Sequence, residues 1–491
     1  MSQGCHVEAH GDEAARPGWA GLVVYLLLLA GGVGLFFLLR EYGEGLAASP
    51  PPPDARPVGK PLAGQVDVVL HVLSTLAAVV FLGFVLGRVC RYIGQPPVIG
   101  EVIAGILLGP SLLGAISPEA MHLLIPSPES DPQGQVPAAL RAVSQLGVIL
   151  YMFVVGLELN ATRLARRAHA AVAVSHASIV VPFVLGAALA LALYPAFSHA
   201  GVPFTSFALF CGVSMAVTAF PVLARILTDR HLDKTELGGV ALGCAAADDV
   251  TAWCLLAFVV GVAQADVSGA IRVIGGAIAF IAFMLVAVRP VLRRMIRAME
   301  SRHEPMSPVT VAGIILAMLL AALATEAIGI HAVFGPFLLG AIIPHDSRLA
   351  REFASKLKDL VTVLLLPAFF AFTGMRTQIN LMSGWESWLW CGAVILVATV
   401  GKFGGTLVAA RLTGLSWRDA TSLGALMNTR GLMELIVLNI GLDLGVISPT
   451  LFTMMVLMAL VTTAMTAPVL HLLLPATPAG LPDSPAGAIP S

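Results

Sequence analysis

The amino-acid sequence predicts an all-α integral membrane protein with about fourteen transmembrane helices, organised as two inverted repeats. Three observations support this prediction. Of the 491 residues, 57% are apolar and only 12% are charged, about half the charged fraction of a soluble domain. Apolar stretches of about 20 residues, long enough to cross a membrane, recur along most of the chain. Two sequence motifs also occur twice, in helices predicted to run in opposite directions.

The predicted spans follow from length and apolar content, because crossing the hydrocarbon core takes about 20 helical residues. Segment 331–344 is short and contains Gly335, Pro336, Gly340 and Pro344, so we expect a broken or tilted span there. The full set of predicted spans is 19–39, 67–93, 95–115, 138–157, 169–195, 203–227, 238–263, 270–288, 307–329, 331–344, 360–374, 386–410, 418–440 and 447–474.

The first span differs from a secretory signal in two ways. Its apolar stretch, 19–39, is longer than the usual signal core of about 7–15 residues. The preceding residues include Asp12 and Glu13 but only one base, Arg16. We therefore expect an additional N-terminal transmembrane helix, with a cleaved signal as the alternative. A Pro- and Ala-rich linker follows it, so that helix and linker together occupy residues 1–66.

The distribution of basic residues predicts the orientation, because cytoplasmic loops are enriched in Lys and Arg. With a cytoplasmic N-terminus, 20 of the 28 basic residues fall on the cytoplasmic side and six outside. The two that remain, Lys402 and Arg430, fall inside predicted spans. Both termini are therefore expected in the cytoplasm, and the protein is expected in a bacterial inner (plasma) membrane.

Two motifs recur in the two halves of the chain. Residues 100–110, GEVIAGILLGP, resemble residues 335–344, GPFLLGAIIP, and residues 151–160 resemble residues 370–380. In the predicted topology the first copy of the first motif runs outward and the second runs inward. Inverted repeats of this kind are typical of secondary transporters.

These repeats define the predicted domain boundaries. The first inverted repeat is predicted at 67–263 and the second at 307–474. A linking helix and a basic cytoplasmic loop, 264–306, connect them. A short cytoplasmic tail, 475–491, ends the chain.

Two adjacent carboxylates, Asp248 and Asp249, lie near the centre of the span 238–263. A carboxylate at this depth is energetically expensive and usually faces a cavity or a partner. Because adjacent residues point about 100° apart on a helix, one aspartate can bind a cation while the other meets a positive side chain. A structural, hydrogen-bonded pair is the alternative interpretation.

Lys402 lies within the span 386–410, in the sequence Val-Gly-Lys-Phe-Gly-Gly. The cytoplasmic end of that helix is about 12 Å away, too far for the side chain to extend comfortably to the surface. An ion pair with Asp248 or Asp249 is therefore predicted, in which the lysine could gain and lose a proton.

Two spans at matching positions of the repeats contain signals for an interrupted helix. Pro221 frees a backbone carbonyl near residues 216–217 in the first, and Gly431 allows unwinding in the second. Arg430 and Glu434, four residues apart, can form a local ion pair. Paired interrupted helices are the best sequence indication of an ion site. Pro221 alone could also mark a packing kink.

The remaining polar residues carry weaker signals. Glu101, near the cytoplasmic start of a span, is either an interfacial cap or an accessory transport residue. The six cysteines lack disulfide-framework or zinc spacing, and no cofactor is expected. With a net charge of −1, the chain lacks the basic excess of a nucleic-acid-binding protein.

The motif at residues 95–110, the Asp248–Asp249 pair and the motif at residues 428–434 (NTRGLME) resemble the monovalent cation:proton antiporter-2 family. The likeness extends over residues 67–474 and is strongest to plant-type cation/H⁺ exchangers and their bacterial relatives. It implies the sodium/proton-antiporter fold, with crossed, unwound helices at the ion site. A transport domain, a dimerisation domain and a homodimer are also implied.

The resemblance further implies roles for single residues. Asp249 resembles the family's cation- and proton-binding aspartate, and Asp248 the preceding position, which is Asp in electrogenic members and Asn in many electroneutral ones. Lys402 resembles the lysine that pairs with that first aspartate. Thr218 lies on the first crossed helix, with Arg430 and Glu434 on the second. The long cytoplasmic C-terminal regions of many relatives are absent from this sequence.

The predicted function is secondary active transport in the lipid bilayer, exchanging a monovalent cation, Na⁺ or K⁺, for H⁺ by alternating access. The cation and protons would compete at Asp249, with Thr218 or freed carbonyls as further oxygen ligands. If Lys402 also releases a proton, the exchange is electrogenic. If it does not, an electroneutral K⁺/H⁺ exchanger or K⁺ efflux protein is the alternative.

Other classes fit the sequence less well. An intramembrane aspartyl protease, the enzyme alternative, would need aspartates on two different helices. A channel or non-transporting sensor is the remote alternative, and neither class explains inverted repeats with two interrupted helices.

Overall fold

The computed structural model describes residues 19–44, 66–158, 168–230, 232, 235–263, 267–301 and 307–474. The predicted tail, 475–491, and residues 1–18 and 45–65 of the predicted N-terminal region lie outside these residues. The chain divides into two compact units, Met1–Gly64 and Gln65–Ser491. The first unit contributes one described helix, Trp19–Glu44, and the second contributes all the others.

Every regular element in the described part of the chain is helical, with three α-helices extended by π-helical turns. The α-helices are α1 Trp19–Glu44, α2 Val68–Tyr92, α3 Pro97–Leu108, α4 Leu113–Ile116, α5 Pro118–Leu124, α6 Gln135–Glu158, α7 Ala168–Phe197, α8 Phe204–Ala216, α9 Phe220–Asp229, α10 Glu236–Ala263, α11 Val267–Phe283, α12 Arg289–Ser301, α13 Pro308–Ile328, α14 Phe334–Ile342, α15 Arg348–Leu360, α16 Leu366–Met375, α17 Gly384–Thr399, α18 Gly405–Leu412, α19 Trp417–Met427, α20 Leu432–Asp443 and α21 Pro449–Leu473. The π-helical segments, Met284–Val288, Val361–Leu365 and Val400–Gly404, join α11 to α12, α15 to α16 and α17 to α18.

Ten helical stretches in the described residues are long and apolar enough to cross a membrane. The other four predicted spans correspond to α1, to the interrupted pairs α8–α9 and α19–α20, and to the short helix α14. The all-helical membrane fold is therefore confirmed, whereas the count of fourteen crossings stays a prediction.

Several helices begin where local sequence chemistry favours a start. Ser307, Ser347, Ser416 and Ser448 each accept a hydrogen bond from a backbone N–H three residues later, at the start of α13, α15, α19 and α21. These bonds satisfy donors that have no partner within the helix. Pro is also found in the first turn of α13 and α21, where its missing N–H has no consequence.

The helices of the second unit pack as two groups, each drawn from both predicted repeats. The flanking group comprises α2, α3 and α6 from the first repeat with α13 to α16 from the second. The site group comprises α7 to α10 from the first repeat with α17 to α21 from the second. The groups meet along a seam that includes α3 with α21 and α16 with α20. Corresponding parts of the two repeats thus contribute to the same group.

Glycines of the repeated motifs pack reciprocally across the flanking group. A Cβ atom added to Gly105 on α3 would lie 2.1 Å from a backbone oxygen of α16, and one added to Gly374 on α16 would lie 2.3 Å from a backbone oxygen of α3. Their counterparts Gly340 on α14 and Gly156 on α6 face each other in the same way, at 2.4 and 2.3 Å. Each motif contact is therefore repeated with the halves exchanged, as inverted repeats require.

Candidate functional site

Two interrupted helices meet inside the site group. Residues 217–219 separate α8 from α9, and residues 428–431 separate α19 from α20. Pro221 is in the first turn of α9. Backbone N–H groups there have no partner within the helix, so the N–H that proline lacks is not missed. The backbone N–H of Ala219 donates to the carbonyl of Thr429 at 3.1 Å. The two interruptions are thus bonded directly to each other.

Asp248 on α10 is fully buried and accepts hydrogen bonds from four side chains. Ser175 Oγ donates to Oδ1 at 2.6 Å. Ser178 Oγ and Thr218 Oγ1 donate to Oδ2 at 2.9 and 2.6 Å. Lys402 Nζ also donates to Oδ2, at 3.0 Å, and forms an ion pair with it. The structure therefore brings Thr218 and Lys402 to Asp248.

Asp249, the next residue, is equally buried but does not share the hydrogen-bond donors of Asp248. Among the residues that the structure describes, neither of its carboxylate oxygens has a hydrogen-bond partner. The backbone of Phe220, at the start of α9, lies close by without meeting hydrogen-bond geometry. The difference follows from the turn of about 100° between adjacent helical residues, which directs the two carboxylates to different neighbours.

Lys402 lies in the π-helical segment Val400–Gly404 and is completely buried. Its ammonium donates to the carbonyl of Ala216, the last residue of α8, as well as to Asp248. A carbonyl that sequence analysis expected to be free for the cation is thus already occupied by the lysine. π-Helical turns of this kind are frequent at functional sites.

Arg430 and Glu434 form a second buried ion pair, with Nη1 and Oε2 3.3 Å apart. The guanidinium also crosses to the other interruption and donates to the carbonyls of Ser214 at 3.0 Å and Met215 at 2.8 Å. These carbonyls end α8 and have lost their helical partners. Arg430 therefore supplies hydrogen bonds to the broken end of the first helix, which the prediction of a local pair did not include.

Four hydroxyl side chains of the site were not predicted from the sequence: two bond to Asp248, and two bond to the backbone around the second interruption. Besides Ser175 and Ser178 on α7, Thr463 on α21 accepts from the Arg430 N–H at 2.9 Å and donates to its carbonyl at 2.8 Å. Thr466 donates to a carbonyl of α19 at 3.2 Å. The available signal was helical spacing, since both pairs are three residues apart within apolar helices.

Glu101 lies along the seam rather than among the hydrogen-bond partners of Asp248. Together with Tyr151 from the flanking group and Arg225 from the site group, it lines a cavity of about 100 Å³. By the predicted topology this cavity is on the cytoplasmic side. Its position fits an accessory residue on an access path as well as an interfacial residue.

At the end of the seam predicted to face outside, charged residues bridge the two groups. Arg376, which follows α16, contacts Asp443 at the end of α20 at 2.5 Å and Asn439 at 2.7 Å. Arg141 of α6 lies 3.6 Å from the same aspartate. These groups also line a cavity of about 50 Å³. We call Arg141, Arg376 and Asp443 the outer bridge.

The charges of the site balance except at one residue. Asp248 is compensated by Lys402, and Glu434 by Arg430. Asp249 has no such partner in the described part of the chain. A bare carboxylate in a low-dielectric interior is strongly unfavourable, so ionised Asp249 lacks the compensation that Asp248 and Glu434 have.

The described residues also lack the side-chain clusters that usually hold a metal ion. No group of three or more His, Cys, Asp or Glu side chains is placed to hold a metal ion there. A carboxylate is an oxygen ligand of the kind that a hard cation prefers.

Comparison with known proteins agrees with this architecture. The sequence model "Sodium/hydrogen exchanger, transmembrane" matches residues 76–474. The chain is 42% identical over 412 residues to the Na(+)/H(+) antiporter NhaS4 of Synechocystis, covering 84% of this chain and 98% of that protein. It is 36% identical to the Cation/H(+) antiporter 19 of Arabidopsis thaliana and 33% identical to the K(+)/H(+) antiporter 1 of Saccharomyces cerevisiae.

The plant and yeast relatives are longer. The matches cover 82% and 86% of this chain, which spans about half the length, 49%, of each of these two proteins. Among solved structures, the sodium proton antiporter MjNhaP1 from Methanocaldococcus jannaschii has a TM-score of 0.59 at 14% identity, covering 83% of this chain and 99% of that one. This similarity confirms the predicted antiporter fold. The chain therefore belongs to the sodium/hydrogen exchanger family of membrane transporters.

Proposed function

We propose that this protein exchanges a monovalent cation, Na⁺ or K⁺, for H⁺, and that Asp249 is the residue at which they compete. The observation that carries the proposal is the buried carboxylate of Asp249, whose two oxygens have no partner among the described residues. A proton from one side neutralises it and displaces the cation. A cation from the other side compensates the same charge and displaces the proton.

The neighbouring ion pair suggests how a second proton could be carried. Lys402 is held by Asp248 and by the Ala216 carbonyl, both within hydrogen-bond reach. If the lysine releases its proton when the cation binds, two protons move per cation and the exchange is electrogenic. Electrogenic exchange is the proposed mode, and electroneutral K⁺/H⁺ exchange with a permanently charged lysine is the alternative.

The seam between the helix groups supports alternating access. The interrupted helices and both ion pairs lie in the site group, so movement of this group along the flanking group would carry the ion site. The outer bridge joins the groups at one end of the seam. Breaking the bridge would open the path to the outside, and forming it would close that path.

The membrane arrangement completes the proposal. Both termini are proposed to lie in the cytoplasm, and the concentration of Lys and Arg in the loops predicted on that side supports this orientation. A homodimer in the inner (plasma) membrane is proposed because the sequence resembles a family with a dimerisation domain.

The test is proton flux in proteoliposomes that contain the purified protein and a trapped pH dye, with Na⁺, K⁺ or Li⁺ added outside. Cation-dependent proton movement is expected in the wild type and should be lost in Asp249→Asn. Asp359→Asn, an exposed aspartate on α15, is the matched control. Flux that persists in Asp249→Asn would remove this residue from the mechanism. A channel would conduct the cation without moving protons, and a sensor would show no flux.

A further inference from the structure

Asp248 and Asp249 are chemically identical, adjacent and fully buried, yet one is saturated with donors and the other has none in the described structure. A cation can prefer one of the two carboxylates only if their surroundings differ. Besides Lys402 and Thr218, the surroundings of Asp248 include two hydroxyl groups that α7 contributes from one helix face, Ser175 and Ser178.

The two serines do not act equally on Asp248. Oδ2 receives three donors, from Ser178, Thr218 and Lys402. Oδ1 accepts a hydrogen bond from the hydroxyl of Ser175, at 2.6 Å. The hydroxyl of Ser178 also lies 2.8 Å from the Ser175 carbonyl, so its one hydrogen is shared between two acceptors. Ser175 is therefore the donor that satisfies the oxygen facing away from the lysine.

We propose that Ser175, assisted by Ser178, is a positioning residue for ion exchange. By occupying Oδ1, Ser175 holds the Asp248 carboxylate on Lys402 and leaves Asp249 as the one carboxylate free to receive the cation. The inference rests on the proposed exchange at Asp249 and names a residue that, together with Lys402, makes the two aspartates unequal.

Removing this hydroxyl changes what Asp248 can do. A buried carboxylate oxygen that loses its hydrogen-bond donor keeps its negative charge uncompensated, at the cost of its full desolvation free energy. In Ser175→Ala the uncompensated charge on Oδ1 of Asp248 adds to the negative potential at the neighbouring Asp249, where the cation is proposed to bind. The cation at Asp249 then experiences a stronger negative potential, so it binds more tightly and is released more slowly.

The experiment measures cation-dependent proton flux in proteoliposomes as a function of cation concentration. In Ser175→Ala the apparent KM for the cation is expected to fall about tenfold, the size of one charge-assisted hydrogen bond, with a lower maximal rate. Ser175→Thr retains a hydroxyl and should restore the wild-type KM. Ser74→Ala, a serine of α2 in the flanking group that donates to a backbone carbonyl, is the matched control.

The outcomes separate the two proposals. If the wild type shows no cation-dependent proton flux, exchange and positioning both fail. If the wild type exchanges ions and Ser175→Ala lowers only the maximal rate, with KM unchanged, the serine is merely structural and the positioning role alone is overturned. Should Ser175→Ala not yield folded protein, Ser175→Cys preserves the side-chain size with a much weaker donor. An unchanged KM in that variant would equally overturn the inference.

Discussion

Replacing Gly156 by alanine tests the close crossing of α6 and α14. A Cβ atom at this position would lie 2.3 Å from the carbonyl oxygen of Phe337 and 2.9 Å from the backbone nitrogen of Ala341. Both atoms belong to the backbone of the facing helix, so no side-chain rotation can relieve the contact. The substitution therefore forces the two helices apart.

The size of the effect follows from these distances. Ordinary van der Waals contact begins at 3.4 Å, so the helices must separate by about 1 Å at the crossing. Association of membrane helices depends on such close packing, because lipid supplies no hydrophobic driving force between them. Overpacking of this kind destabilises by about 1–3 kcal/mol. Alanine has a helix propensity about 1 kcal/mol more favourable than that of glycine. The measured loss of stability is therefore smaller than the cost of the steric clash alone.

The measurement is thermal unfolding of the purified variant in detergent. Gly313→Ala on α13 is the control, since nothing lies within 4 Å of a Cβ atom there. Gly340→Ala should match Gly156→Ala, because the two glycines face each other. If Gly156→Ala melts at the temperature of Gly313→Ala, the helices do not cross this closely and the reasoning is refuted.

Three further predictions follow from the charged groups. Arg430→Gln removes the positive charge beside Glu434 and replaces a guanidinium that serves three acceptors by one shorter amide. Stability in thermal unfolding in detergent should therefore fall by about 3–5 kcal/mol, whereas an unchanged melting temperature would contradict the contacts. Lys402→Gln keeps a donor but removes the charge, so proton flux should become insensitive to an imposed membrane potential; persistent sensitivity would exclude the lysine as proton carrier. Asp443→Asn weakens the outer bridge, so a cysteine introduced at Gln145 should react faster with a membrane-impermeant thiol reagent, and an unchanged rate would argue against a closing role.

The sequence predicted those features that depend on local chemistry. Pro221 and Gly431 alter the backbone wherever they occur, so both helix interruptions could be located without a structure. Asp249 and Lys402 were identifiable because charge is rare and expensive at membrane depth. The repeated glycine motifs indicated two halves because glycine permits close helix crossings.

Features that depend on long-range geometry could not be predicted in the same way. Arg430 donates to carbonyls more than 200 residues earlier, and its spacing to Glu434 indicated only a local pair. Ser175 and Ser178 were missed because hydroxyls are common in membrane helices and give no signal of which helix faces them. The pairing of Lys402 with Asp248 rather than Asp249 was left open by the residues alone, because it depends on the rotation of α10.

The bonds that link the two helix interruptions have a consequence for ion selectivity. Arg430 ties the second interruption to the end of α8, and the Ala219–Thr429 bond joins them again. Because these hydrogen bonds join the two interruptions, we expect them to move as one rigid unit in the proposed exchange cycle, with the oxygen atoms of the site keeping their relative positions. An ion arriving from the cytoplasm and one arriving from outside therefore meet the same ligands. The ranking of Na⁺, K⁺ and Li⁺ should consequently be the same on both faces of the membrane, even where the rates differ.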